Sequence, residues 1–368
     1  MGKVTEKAEK GKEIFCAIDL HQRSMLAGVA IGRGELSFRE LDPEEASGVA
    51  ELIGWLHGLE RKTGGRVWVT YEASGCGFRL ADALGDEGFE VSVLAPTRLP
   101  VSAKSRTSKT DKRDVIRLHE VLRGHVLAGN ELPKVWIPPP ELRDDRELVR
   151  RRLDLKDQET RVKNQIHGLL RRYGLKRPAE VKTNWTQKHL RWLDQVAGEL
   201  GPGAGQLLRS LLRELSFFEA ETAELDGAVR ELAETDRYRE QARALTQIVG
   251  VGTLSAMVFL TELGDLERFP NRRALANYTG LTPRSYESGE QDDRKGHISK
   301  QGPARVRKIL NQAAWSVVRC NGQRREWYQT RKARGKSSKK LITAEMRRLA
   351  IYMWHVALDA KLGVAVGF

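Results

Sequence analysis

Between residues 14 and 41 the chain lays down three short apolar segments with no room for a helix between them. Ile14–Leu20 is the first, Met25–Ile31 the second, and residues 36–41 alternate apolar and polar side chains. Strands joined this tightly pair antiparallel. The pattern then changes. Residues 44–59 place Leu52, Ile53, Leu56 and Leu59 on one helical side, and residues 66–72 are rich in β-formers (Val67, Trp68, Val69, Tyr71). Residues 78–84 read as helix, 91–94 as strand and 111–127 as helix. The order β-β-β-α-β-α-β-α predicts a mixed sheet with helices on its faces, an α/β domain over residues 13–140.

Residues 141–240 read as helical and mostly polar. Leu208, Leu211, Leu215, Phe218, Thr222, Leu225, Val229 and Leu232 recur at alternating spacings of 3 and 4, a heptad seam broken by one polar position. An earlier stripe carries Leu148, Leu155, Val162, Ile166, Leu169 and Tyr173. The expected product is a coiled-coil hairpin, folded on itself or paired between protomers, and the sequence leaves both open. The stretch 178–205, with two tryptophans and a glycine cluster, matches no motif. The last part, 241–368, reads as mainly helical. There Gly250-Val251-Gly252 separates two helical stretches. Such a turn bares backbone N–H groups at a helix start and suits phosphate, as in a helix-hairpin-helix element, although two glycines between helices are also an ordinary turn.

Charge points to a polyanionic partner. The 368 residues hold 63 Lys+Arg against 49 Asp+Glu, a net charge of +14. Residues 299–340 alone hold 13 Lys/Arg and one acid, Glu326, interleaved with Trp315, Trp327 and Tyr328. That pattern suits a nucleic-acid backbone, and a solvated surface is the plainer reading. The phosphate contacts expected are Lys300, Arg305, Arg307, Lys308, Arg324 and Arg325, together with Gly250 and Gly252. A second basic loop adds Lys104, Arg106, Lys109, Lys112 and Arg113. Three scattered cysteines (Cys16, Cys76, Cys320) fit reduced thiols in the cytoplasm. No apolar run is long enough to span a membrane. The charged start MGKVTEKAEKGKEIF has no leader-like apolar region.

Acids at strand ends stand out in a basic chain. Asp19 closes the first strand and Glu72 the fourth, while Asp111 and Asp114 open the last helix of the domain on one face. Singly, each has a plain reading as a turn cap or a first-turn helix acid. Together, in a ribonuclease-H-like fold, the four converge, and clustered carboxylates are tolerated where they bind divalent metal. Oxygen ligands favour Mg²⁺ or Mn²⁺, and a pair of such ions suits phosphodiester chemistry.

These motifs resemble the DEDD transposases of bacterial insertion sequences, the insertion-sequence-one-ten family, along essentially the whole chain. The matching stretches are AIDLH (17–21), VTYEASG (69–75), KTDKRDV (109–115) and the C-terminal GLTP, YESGE and SKQG in fixed order. The resemblance implies a RuvC-like first domain with Asp19, Glu72, Asp111 and Asp114 as its acids. It also implies a serine nucleophile at Ser288, a position that composition alone reads as a turn. Ser285 and Ser299 are its local competitors, and His297 reads as a phosphate contact. Serine needs metal or base help, which argues for docking Ser288 onto the acidic site. The resemblance further implies a guide (bridge) RNA that pairs with donor and target DNA, and a homo-oligomer, dimer or tetramer. A hydrolytic endonuclease resembling a Holliday-junction resolvase and a non-catalytic nucleic-acid-binding scaffold are the alternatives. An actin-like ATPase is disfavoured because the turn Asp19-Leu20-His21-Gln22 lacks glycine.

Overall fold

The computed structural model describes residues 12–43, 46–99, 110–288 and 291–363, with backbone alone at 46, 285–288 and 291–295. The chain forms two compact units that divide between Ile137 and Pro138.

The first unit is a five-stranded mixed sheet. Strands β1 (Ile14–Leu20), β2 (Met25–Ile31), β3 (Ser37–Leu41), β4 (Val67–Glu72) and β5 (Glu90–Leu94) lie in the order β3-β2-β1-β4-β5. The first three form the expected antiparallel meander, and β1, β4 and β5 run parallel. Helices α1 (Ala46–Thr63) and α2 (Arg79–Asp86) cover one face, where Ile14, Cys16 and Ile18 pack with Leu52, Leu56 and Leu84. Helix α3 (Asp111–Ala128) covers the other, where Ala17 and Leu94 pack with Val115 and Leu118.

The seat of α3 depends on small residues. Ala17 on β1 pairs with Gly28 on β2. A Cβ on Gly28 would stand 2.5 Å from Val115 Cγ1, so glycine is what lets the helix approach the sheet. Below that contact His119 is buried, its ring edge-on to Phe15 at 6.1 Å.

The second unit is helical apart from one hairpin. Its elements are α4 (Pro140–Arg172), α5 (Gln187–Glu199), α6 (Pro202–Ala233), α7 (Arg239–Thr246), α8 (Thr253–Leu263), α9 (Arg272–Tyr278), β6 (Pro283–Ser288), β7 (Gln291–Ile298), α10 (Ala304–Cys320), α11 (Gly322–Ala333) and α12 (Ser338–Lys361). Helices α4 and α6 pack antiparallel within the chain. Arg152 forms a bidentate pair with Asp226, at 2.7 and 2.8 Å. Leu208, Leu211, Leu215 and Phe218 of the heptad seam are buried against α4 and α5. The seam is therefore satisfied inside one chain.

The sequence reading placed a boundary at 240, and the structure shows none there. Val149 and Leu153 of α4 and Val229 and Ala233 of α6 share one core with α8, α10 and α12. Helix α8 is apolar all round and buried from Ala256 to Leu263, as a central helix must be. Two arginines of α4 fasten it. Arg150 pairs with buried Glu262 at 2.8 and 2.9 Å, and Arg146 Nε donates to the Thr261 carbonyl at 2.5 Å.

The base of the β6–β7 hairpin joins the GLTP and SKQG motifs. Lys300 N donates to Gly280 O at 3.2 Å and Ser299 N to Thr282 O at 2.8 Å. Arg307 Nη1 donates to the carbonyls of Thr279, Gln301 and Gly302 at 3.2, 3.2 and 3.1 Å. Gly302 has φ +76°, and a Cβ there would lie 1.9 Å from the Tyr278 carbonyl oxygen.

Two outcomes are expected. Burial, with Arg123 adding to it, pulls His119 down from 6.5 to about 4, so its ring stays neutral in the folded state while the unfolded chain takes up a proton. Stability is full above the unfolded value and declines as pH falls toward the folded one, by about 2 kcal/mol at about pH 5. Urea unfolding of His119→Leu at about pH 7 and pH 5 should show that much less loss on acidification than wild type. Gly302→Ala should cost about 2–4 kcal/mol, lowering the melting temperature on the order of 10 °C. An unchanged melt would refute the close approach.

Candidate metal centre and nucleic-acid interface

The parallel register of β1 and β4 pairs Ile18 with Tyr71, which brings the next residues, Asp19 and Glu72, side by side at the strand ends. Alternation along a strand turns both away from the Ile18 face, toward α3. Helix α3 begins at the same end of the sheet. Thr110 occupies its N-cap position, so Asp111 is the first helical residue, and both it and Asp114 lie in the first turn. Negative charge there also suits the helix dipole, so the plain reading of these acids and the functional one coexist.

Four acids gathered this way need counter-charge; Arg117 supplies it for one pair and His21 stands beside another acid, both groups that sequence reasoning passed over. His21 Nε2 lies 3.4 Å from Asp19 Oδ2, and one ligand atom each from Asp19, His21 and Asp111 fall within 4.8 Å of one another. The guanidinium of Arg117 pairs with Glu72 and lies 3.6 Å from Asp114. The acids thus divide into Asp19–Asp111 with a histidine and Glu72–Asp114 bridged by an arginine. His21 was legible in principle, since AIDLH ends on it. Arg117 was not, because its partner Glu72 is distant in sequence. The oxygen-rich donor set fits a hard divalent cation, and the imidazole extends the fit to Mn²⁺.

The basic contacts meet different fates. Lys104, Arg106 and Lys109 lie outside the described residues. Lys112 and Arg113 are placed in the first turn of α3 beside the acids, Lys112 with its Nζ 5.9 Å from the Phe38 ring. Most of the C-terminal group has partners within the protein. Arg305 pairs with Asp154 at 3.0 Å, Lys308 with Asp157, and Arg324 with fully buried Glu345. Arg325 donates to the Arg319 carbonyl, and Arg307 is the hairpin clamp described above. Burial lowers the Arg307 pKa from its ordinary value. Their acidic partners sit on α4 and α12, far off in sequence, so a local charge count could not register them.

Gly250 is also corrected. Its φ is +84°, and a Cβ would lie 2.9 Å from the Ala313 carbonyl oxygen, so glycine there serves the packing of the turn on α10. Gly252 has open space around it and an extended backbone at the start of α8. Lys300 is exposed, with φ +56°. Ser288 is the last residue of β6, paired with Gln291. Its side chain, like that of Ser285, lies outside the described ones. Ser299 and His297 lie at the far end of β7, toward the hairpin base. Among the described residues no helix is long and apolar enough to cross a membrane.

Comparison with known proteins agrees with this arrangement. Residues 16–175 match a DEDD transposase family model, and residues 242–329 match the transposase model of the IS116/IS110/IS902 family. The Sinorhizobium fredii protein y4qE, which carries a transposase name, is 29% identical over 80% of this chain and 76% of its own. The transposase for insertion sequence element IS1533 of Leptospira borgpetersenii is 26% identical over 67% of this chain and 69% of its own. The pilin gene-inverting protein of Moraxella bovis is 25% identical over 82% and 83%. With acids at the strand ends and helix start inside the first matched region and the GLTP–SKQG hairpin inside the second, the chain belongs to the DEDD transposases of insertion sequences, the IS116/IS110/IS902 family.

Proposed function

We propose that this transposase cuts and rejoins DNA strands at a divalent-metal centre held by Asp19, Glu72, Asp111 and Asp114 on a ribonuclease-H-like sheet, with Ser288 as nucleophile. The observation that carries this reading is the approach of Asp19, His21 and Asp111 to within 4.8 Å. Mg²⁺ or Mn²⁺ bound there, singly or as a pair, supplies charge neutralisation at the phosphate and a lowered pKa for the attacking hydroxyl.

The chain's own groups supply the rest. The Ser288 oxygen bonds to phosphorus as its proton leaves, and the DNA 3′-oxygen departs and is protonated. The phosphoserine ester keeps the bond energy, and a 3′-hydroxyl later attacks it and restores the serine. Arg117 holds Glu72 and Asp114 in place without metal, sparing the fold the repulsion of two bare carboxylates. The guide RNA, the homo-oligomer and the cytoplasmic setting belong to the same reading and rest on the family resemblance.

The test uses the full chain, its flanking non-coding RNA, and a supercoiled plasmid carrying the element's junction. Asp19→Ala and Asp111→Ala should lower strand cleavage about 100-fold or more and abolish calorimetric Mn²⁺ binding, with the melting temperature little changed. Cleavage that survives both substitutions would refute the metal centre. Ser288→Ala should abolish a denaturation-resistant protein–DNA adduct. Cleavage without an adduct, unaffected by that substitution, would identify a hydrolytic nuclease instead.

A further inference from the structure

The C-terminal cations that looked most like a nucleic-acid surface are largely engaged inside the protein. The reverse holds around the elbow between α4 and α5. Residues 161–188 carry eight Lys/Arg and one acid, Glu180. Among the described residues, Arg161, Arg171, Arg172, Lys176 and Lys182 have no carboxylate within ion-pair distance. Leaving that many cations unneutralised on one short stretch costs self-repulsion, which a polyanion relieves.

The elbow is also concave and ordered around aromatic groups. A cavity of about 750 Å³, within the range of small-molecule sites, is lined by Asn164, His167, Arg171, Lys176, Arg177 and Asn184 among others. A neighbouring cavity of about 650 Å³ shares Asn164 and adds Arg161, Gln165 and Arg172. Arg161, Asn164, Gln165, His167, Arg171 and Arg172 all lie on α4, so the two cavities adjoin along that helix, with Asp157 at the edge of the second.

The wall is held in place by an unusual residue. Trp185 has φ +65°, a backbone region that bulky side chains rarely enter. Its N–H donates to His189 Nδ1 at 3.0 Å, and its ring meets His167 and His189 edge-on at 5.0 and 5.2 Å. His189 is buried, and burial lowers its pKa, which keeps the ring a neutral acceptor for that bond. Arg177 donates to Asn184 Oδ1 at 2.7 Å across the loop. Tyr173, which follows the last residue of α4, is 53% exposed next to the cationic cluster.

The geometry points to a binding site for single-stranded nucleic acid in this groove, taking an unstacked base with its flanking phosphates. Guanidinium and ammonium groups meet the phosphates, His167 offers its ring to the base, and the amides of Asn164 and Asn184 offer donors and acceptors to its edge. A duplex keeps its bases stacked and paired and has no edge to insert. The site belongs to the second unit alone and does not depend on the metal centre or on Ser288.

The test is fluorescence anisotropy of the full chain, without divalent metal, on labelled single-stranded RNA, single-stranded DNA and duplex DNA of about 12 nucleotides. R171A/R177A should weaken single-strand binding about 10-fold and reduce the log–log salt slope by about 1.4, the share of two phosphates. R171K/R177K should restore the slope, and a circular dichroism melt should show all three proteins folded alike. A 4-thiouridine strand should cross-link within residues 164–189 of wild type and lose that adduct in R171A/R177A. Tighter binding of RNA than DNA would assign contacts to the 2′-hydroxyl, and equal binding would assign them to base and phosphate. Unchanged affinity and slope, cross-links confined to other segments, or equal weakening of duplex binding would each overturn the proposal. The assay contains no divalent metal, so failure of the metal-centre reading is read separately.

Discussion

The contact between Val115 and the Ala17–Gly28 pair is the constraint on which the first unit turns. Two small residues facing each other across β1 and β2 make a shallow seat, and α3 settles onto it with no Cβ in the way. Because the helix begins near that contact, Asp111 and Asp114 arrive at the sheet end where Asp19 and Glu72 stand. A bulkier residue at position 28 would push the helix outward and separate the acids. The gathering of these acids at one sheet end is thus a consequence of how α3 packs through Val115.

Bringing the acids together has an electrostatic cost. Two carboxylates about 5 Å apart at an effective dielectric near 20 repel by about 3 kcal/mol. The molecule offsets this for Glu72 and Asp114 with the Arg117 guanidinium. The second unit resolves charge in the opposite way. There arginines from α4 reach buried Glu262, and Arg324 and Arg348 close over buried Glu345. Those pairs fix how helices pack, and they tie Arg324, which a charge count would assign to a ligand, to an acid of the core.

Secondary structure was largely legible because its signals are local. Period-two and period-3.6 patterns placed β1 and β2 at their observed limits and the other strands, α2 and α3 within about two residues, while α1 runs four residues past its expected end. The four acids were legible for the same reason, as they sit where predicted strands end and a predicted helix starts. The boundary at 240 was not real, because Val149 and Val229 join the core around α8 and no local pattern announces a shared core. Gly250 read as an anion site and proved to be a close-packing position on α10, since the residue it touches lies far along the chain.

The sequence by itself determined the order of elements, the antiparallel meander and the placing of acids at their ends, because hydrophobic period and chain stiffness act over a few residues. Only the tertiary structure decided which charges meet. Whether Arg305 faces solvent or Asp154, whether Glu72 stands alone or against Arg117, and whether Arg161, Arg171, Arg172, Lys176 and Lys182 lack a carboxylate partner depend on distances between residues remote in sequence. Coulomb energy follows those distances, and the folded backbone alone sets them.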